Sequence, residues 1–288
     1  MTLHAGTLDD ARLTVSHDYV WQLHRNRLDA FESWYDESLV GKPVRVTSDR
    51  ANFRLAIYVQ ADRRLVLFLK RHESIGFAAR VLSWLKFRRP ITPGRVEWDN
   101  IFRFASLGVA TSAPVVLGED PATGRSFIVT AEIEGAVPAD DYAHAHFASK
   151  DPAAARARRR FVRRLAEIVR RLHAAKLCHR DLYLCHAFVK ETAGEFQIHL
   201  IDLQRVARFT LPRWKVKDVA QLEYSRGEGT FTRTDAVRFL HGYFAVKRLD
   251  PKHKRFAAQV LRKAARIRRR ERSGGQVRRR ERGKDAPR

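Results

Sequence analysis

Two aspartates carry the most informative spacing in this 288-residue chain. Asp181 lies in His179-Arg180-Asp181, just after a long helical run, and Asp202 lies in Ile201-Asp202-Leu203, 21 residues further on, with a hairpin expected between them. Carboxylates in this arrangement suit transfer of a phosphoryl group to an alcohol. An alcohol is a poor nucleophile near neutral pH, so one carboxylate must orient the hydroxyl and take its proton. A nucleoside triphosphate carries several negative charges, so another must hold the metal that neutralises them. Asp181 is the expected base and Asp202 the expected metal holder. Upstream, Lys70 ends the apolar run LVLFLK and Glu97 opens a helical stretch. A lysine with a glutamate as ion partner is a way to hold the α and β phosphates of ATP.

This order, Lys then Glu then His-Arg-Asp then a second Asp one hairpin later, is that of the protein kinases. Thr130, Glu132 and Ile133, ending the last sheet strand, would be the hinge whose backbone reads adenine. In protein kinases an Asn five residues beyond the loop Asp binds a second magnesium. His186 stands there instead, and imidazole is a poorer ligand for a hard cation. Mg2+ is therefore expected on Asp202, with His186 as the second candidate ligand. No GxGxxG lies between Lys42 and Leu55, so phosphate cover would fall to Ser48, Arg50, Asn52 and their backbone amides. Leu203 and Gln204 follow Asp202 where a protein kinase has Phe-Gly, and no APE segment follows, so control by an activation loop is not expected.

The elements that must position these residues follow from hydrophobic period. FRLAIYV at 53–59 and RLVLFLK at 64–70, separated by QADR, predict an antiparallel hairpin, and PVVLG at 114–118 with RSFIVTAEI at 125–133 predicts further strands. Residues 74–87 read as a helix. Pro90, Pro93 and Gly94 break the pattern, and a second helix over 96–107 carries Trp98, Ile101, Phe102 and Ala105 on one face. Helical periodicity dominates later, most clearly over 153–175. The expectation is an α+β chain of two lobes with a cleft between them: a sheet-rich ATP-binding lobe over 1–134 and a helical lobe with the catalytic loop over 135–250. A basic helix and a disordered tail complete it over 251–288, the helix ending near Arg272 ahead of Gly274 and Gly275.

Composition bounds the partners. Lys and Arg number 56 against 32 Asp and Glu, a net charge of +24, which calls for an anionic partner. The last 38 positions hold 16 of the basic and 3 of the acidic residues, with RRRER written twice. Two cysteines exclude a disulfide scaffold and fit a reducing compartment. Cys178-His179 and Cys185-His186 lack the spacing of a zinc site. Asp218 reads as a structural brace for the catalytic loop, and Trp214, Lys215 and Lys217 as candidates to receive an anionic sugar or phosphate. Arg180 could pair with an acidic group or meet a substrate phosphate, a structural salt bridge being equally open. Thr232 with Asp235 reads as a helix cap. No leader-like apolar segment or membrane-length apolar run is visible, so a cytoplasmic location is expected.

HRDLYLCHAF, then IDLQR, then PRWKVKDVAQLEYS resemble the bacterial lipopolysaccharide kinase family, whose members phosphorylate heptose or Kdo of the inner core. The likeness runs from about Leu65 to Phe244 and includes LFLKRH, VEWDNIFRFASLGVAT, SFIVTAEI and TRTDAVRFLHGYF. It implies a protein-kinase-like fold with an antiparallel-sheet N-lobe and a mostly helical C-lobe. It also implies ATP and Mg2+, a lipopolysaccharide core or lipid A acceptor, and a peripheral place on the anionic cytoplasmic face of the inner membrane. The departures from protein kinases noted above are shared by that family. Two alternatives stand beside it: a kinase of the same fold acting on protein Ser/Thr or a small alcohol, and an idle basic scaffold that binds nucleic acid or membrane. No RNP-type, KH or zinc-finger pattern supports specific nucleic-acid binding. Oligomeric state is left open.

Overall fold

The computed structural model describes residues 4–36, 39, 42–46, 50–59, 63–74, 91–149, 151–209, 211–227 and 229–284. The expected helix at 74–87, past its first residue, and the expected Ser48 contact lie outside the described residues. The chain forms two compact units, Met1–Gly135 with Leu200–Arg205, and Ala136–His199 with Val206–Arg288.

The first unit is built on a seven-stranded sheet. Its strands are β1 (Ala5–Leu8), β2 (Leu13–Ser16), β3 (Lys42–Val46), β4 (Arg50–Tyr58), β5 (Arg64–His72), β6 (Pro114–Glu119) and β7 (Ser126–Ala131), in the order β1-β2-β6-β7-β5-β4-β3. Every neighbouring pair is antiparallel. Period-two alternation sorts the side chains. Leu55, Ile57, Leu67, Leu69, Phe127 and Val129 pack on Leu23 of α1 (Val20–Arg25) and on Leu28, Phe31 and Trp34 in one buried cluster. Each fully buried side chain of this size contributes about 1.5–3 kcal/mol. A Cβ at Gly118 would stand 2.0 Å from the Phe127 ring, so only glycine leaves room for that ring.

Across the sheet lies α2 (Pro93–Ser106), capped by Thr92, whose Oγ1 accepts from the Arg95 amide at 3.1 Å. Pro93 opens this helix rather than breaking it, because the first helical position needs no N–H donor. The buried face is Gly94, Glu97, Trp98, Asn100, Ile101 and Phe104, not the expected stripe through Phe102 and Ala105.

The second unit is mostly helical: α3 (Ala139–Phe147), α4 (Pro152–Ala174), α5 (Pro212–Ser225), α6 (Arg233–Phe244) and α7 (Pro251–Lys284). Small strands β8 (Val137–Pro138), β9 (Leu177–Cys178), β10 (Ala187–Thr192), β11 (Glu195–Leu200) and β12 (Ala207–Arg208) make the sheets β11-β10-β8 and β12-β9. The long α4 buries Phe161, Val162, Leu165, Ala166, Ile168, Val169, Leu172 and His173. Gly242 of α6 lets it approach closely, since an added Cβ would meet that of Ala166 at 3.0 Å. Thr232 and Asp235 form the expected capping box of α6. The last helix runs past Gly274 and Gly275, where the sequence predicted an end to order. Each glycine costs a helix ~1 kcal/mol, and the Arg, Glu and Gln around them are good helix formers. No helix among the described residues is long and apolar enough to cross a membrane.

Candidate functional site: a lysine-carboxylate cluster and a braced loop

In the first unit, alternation along β5 puts Phe68, Lys70 and His72 on the face opposite the apolar cluster. Lys70 Nζ donates to Glu97 Oε1 at 2.7 Å and to Asp202 Oδ1 at 3.1 Å. The separations of 27 positions from lysine to glutamate and 132 from lysine to aspartate are closed by three elements: β5, α2, and the Leu200–Arg205 segment. That segment is anchored by Leu200 N donating to Ala110 O and Asn100 Nδ2 donating to Leu203 O, both at 2.9 Å. Asp202 has φ 59°, a left-handed conformation that Asp tolerates better than most residues.

Burial alone would pull the Lys70 ammonium down. Glu97 and then Asp202 more than offset this, and its pKa stands above the ordinary lysine value. The Glu97 side chain is only 4% exposed, while that of Asp202 is 29% exposed and also has Arg50 at 3.6 Å. Arg50 in turn donates to Asn52 Oδ1 and Gln204 Oε1, both at 3.1 Å. Sequence reasoning offered Arg50 and Asn52 as phosphate cover but did not see Gln204. His72, two residues from Lys70, is buried, and burial followed by the Arg50 and Lys70 charges pushes it down to about 4. It therefore stays neutral at physiological pH and adds no charge to the cluster. The half-open Asp202 carboxylate offers the hard oxygen donors magnesium favours, since Mg2+ takes one or two carboxylates and completes its shell with water and phosphate oxygens.

The expected hinge is partly committed to the sheet. Ala131 N donates to Ala113 O and Glu132 N to Val66 O, both at 2.9 Å, and Thr130 pairs with Phe68 and Pro114 in register. The Glu132 carboxylate is held by Arg54 at 3.0 Å. The amide of Glu132 is thus spent within the fold, and Ile133 is the first expected hinge residue beyond these sheet bonds.

The second unit carries the expected catalytic loop on a buried brace. Asp218 of α5, fully buried, accepts from His179 N at 2.7 Å and Arg180 N at 2.8 Å. Gln221 Oε1 accepts from Leu182 N at 3.1 Å, and Ser225 Oγ from Leu184 N at 2.9 Å. Three residues spaced along one helix thus hold the backbone on both sides of Asp181, which offsets the positive φ of 69° at Arg180. The Asp181 carbonyl accepts from Tyr183 N at 2.9 Å and pairs with His186 Nδ1 at 2.8 Å. Because a carbonyl only accepts, Nδ1 is the donor in this bond, which leaves Nε2 as the ring nitrogen a metal would use.

Sequence reasoning missed the layer beneath. His173 of α4 stands between Tyr243 Oη, 2.8 Å from Nδ1, and Asp218 Oδ2, 3.2 Å from Nε2. Cys178 lies close to His173 and Asp218, but both ring nitrogens of that histidine are already paired and burial pushes the Cys178 thiol up to about 12. This cluster is a hydrogen-bonded prop, not a metal centre, and nothing in the sequence links residues 173 and 243.

The family model described as "Lipopolysaccharide kinase (Kdo/WaaP) family" matches residues 62–243. The lipopolysaccharide core heptose(I) kinase WaaP of Pseudomonas aeruginosa is 35% identical over 228 residues, covering 76% of this chain and 82% of that protein. The enzyme of the same name from Escherichia coli is 34% identical over 214 residues, 70% of this chain and 80% of that one. A solved structure titled "WaaP in complex with acyl carrier protein" superposes with a TM-score of 0.65 at 30% identity, covering 93% of this chain and 99% of that chain. The fold is thus the protein-kinase-like one that the sequence implied, and the chain belongs to the lipopolysaccharide kinase (Kdo/WaaP) family of phosphotransferases that act on sugar hydroxyls.

Proposed function

We propose that this chain transfers the γ-phosphoryl group of ATP to a hydroxyl of an inner-core heptose of lipopolysaccharide. The observation that carries the reading is the Lys70–Glu97–Asp202 cluster, assembled from three separated segments around one partly buried ammonium. In this reading Lys70, held by Glu97, meets the α and β phosphates. Asp202 supplies hard carboxylate oxygens to magnesium, which when bound offsets charge on the transferring group. Asp181 orients the sugar hydroxyl and accepts its proton, and Asp218, Gln221 and Ser225 keep the loop from giving way as it does so. The net charge of +24, much of it on α4 and α7, suits a peripheral place on an anionic membrane face, where each basic residue near the surface contributes about 1 kcal/mol.

The test offers labelled ATP and Mg2+ to wild-type protein with three acceptors: core lipopolysaccharide lacking its phosphates, a mixed protein extract and small alcohols. Label on a core heptose is the expected result. Label on protein or small alcohols alone would replace the glycolipid acceptor with one of those.

An acyl carrier protein bearing its acyl chain is the partner we assign to the second unit. Support comes from the relative solved in complex with acyl carrier protein and, for the acyl chain, from a cavity of about 610 Å3 among α4, α5, α6 and α7. Phe161, Leu165, Val219, Leu222, Leu240 and Val260 line it, and its volume is in the range of small-molecule ligand sites. Leu240→Trp, which fills this space, is expected to abolish co-purification with acyl carrier protein while nucleotide binding persists. Undiminished co-purification would remove the cavity from the interaction.

A further inference from the structure

Among the described residues Arg180 is a cation that no carboxylate meets. Its backbone belongs to the loop brace: the amide donates to Asp218, and the carbonyl accepts from Gln221 Nε2 at 3.1 Å and from Lys217 Nζ. Its side chain takes no part in that brace. The guanidinium carbon stands 5.4 Å from the centroid of the Phe209 ring and 5.1 Å from that of Trp214, and the two rings stack on each other at 4.4 Å. Arg213 lies 5.4 Å from the Trp214 ring. Among the described residues Arg180 has no ion pair, and its Nε is buried with no hydrogen-bond partner.

A buried donor left unsatisfied is costly, and contacts with aromatic faces leave the five N–H groups of a guanidinium unfilled. What such a group accepts best is a planar or tetrahedral oxyanion, taken by two parallel hydrogen bonds. The surroundings have the same sign. A concavity of about 510 Å3 adjoins the stack, lined by Lys176, Arg208, Phe209, Leu211 and Ala175, and Leu211 is half exposed. The residue next in the chain is Asp181.

We infer that Arg180, bedded on Phe209 and Trp214, with Lys176 and Arg208 lining the concavity beside Phe209, binds an anionic group of the acceptor, either the carboxylate of an acidic sugar or a phosphate monoester. That contact selects an acidic acceptor and sets which hydroxyl reaches Asp181. The inference rests on the proposed sugar-kinase reading for its role in turnover, but binding of the anion can be measured without turnover.

The kinetic arm compares three forms of the core acceptor: native, carboxyl-reduced to the alcohol, and stripped of phosphate. Charge-assisted bonds of this kind correspond to about a 10- to 100-fold change in KM. Wild type is expected to lose that factor on one of the two modified acceptors, which identifies the carboxylate or the phosphate as the source. Arg180→Gln is expected to lose it on the native acceptor and nothing more on the modified one, with KM for ATP unchanged. Arg180→Lys, which keeps the charge without the fork, should fall between, and serves if the Gln variant unfolds. Equal losses for Arg180→Gln on all three acceptors, or a wild type indifferent to both modifications, would overturn the inference.

The binding arm follows the Arg180 Nε–H resonance of the full chain, assigned by its absence from Arg180→Lys, during titration with inorganic phosphate and with acetate. A saturable shift supports the subsite even if no glycolipid is phosphorylated, in which case the acceptor reading fails alone. No shift with either anion overturns the subsite even if phosphorylation proceeds.

Discussion

Asp181→Asn is expected to lower kcat by about 10²- to 10⁴-fold with the fold, and the KM for ATP, left nearly as they are. The variant separates two things the loop does at this position. The carbonyl of residue 181 holds the loop turn together through Tyr183 N and His186 Nδ1, and those bonds survive the substitution. Nor does the brace beneath, from Asp218, Gln221 and Ser225, depend on the 181 side chain, since it grips the backbone of residues 179, 180, 182 and 184. An amide in place of the carboxylate keeps shape and hydrogen-bonding reach but cannot take a proton from the sugar hydroxyl. Stopped transfer with an unaltered melting curve is therefore the expected pair of results. Turnover within about tenfold of wild type would mean that another group takes the proton, and the role assigned to Asp181 would be withdrawn.

The chemistry of the chain was more legible than its support. Lys70, Glu97, Asp181 and Asp202 could be picked out because each is a polar residue at the end of a strongly periodic segment, and the order of such segments is written along the chain. Asp218 stands out as a brace on other grounds, since kinase-like folds often place a carboxylate on the helix after the metal loop. The partners that make these residues work come from distant positions with no local signature. His173 and Tyr243 are 70 residues apart, Arg50 and Gln204 are 154 apart, and no pattern in either segment announces the contact. On α2 the expected face through Trp98, Ile101, Phe102 and Ala105 holds at Trp98 and Ile101, but the buried stripe is turned about one position, because the polar Glu97 and Asn100, which an apolar pattern leaves out, are buried beside Phe104. The strands β1 and β2, four residues each, were too short to show alternation, yet they extend the sheet beyond β6. At the expected hinge, the strand's end could be located, but which amides the sheet had already used depended on where Val66 and Ala113 lay.

The second large effect is expected at the lysine-carboxylate cluster, where Asp202→Asn and Lys70→Met should both cut transfer by roughly 10³-fold for different reasons. In Asp202→Asn, Lys70 keeps its 2.7 Å bond to Glu97, so the unit stays folded and what is lost is a charged oxygen donor for the metal. Activity should then require a higher magnesium concentration and recover in part as magnesium is raised. In Lys70→Met the Glu97 carboxylate is left buried without its cation, and breaking such a pair costs about 3–5 kcal/mol. That variant should melt at lower temperature, and added magnesium should not restore it. Replacing the carboxylate as well, in Lys70→Met with Glu97→Leu, removes the orphaned charge, so stability should return while transfer does not. This double variant separates the two contributions of Lys70, because a lysine that only balanced Glu97 would be dispensable once Glu97 was gone. Transfer regained together with stability would assign the phosphates to another cation, and an unchanged magnesium requirement in Asp202→Asn would take the metal away from Asp202.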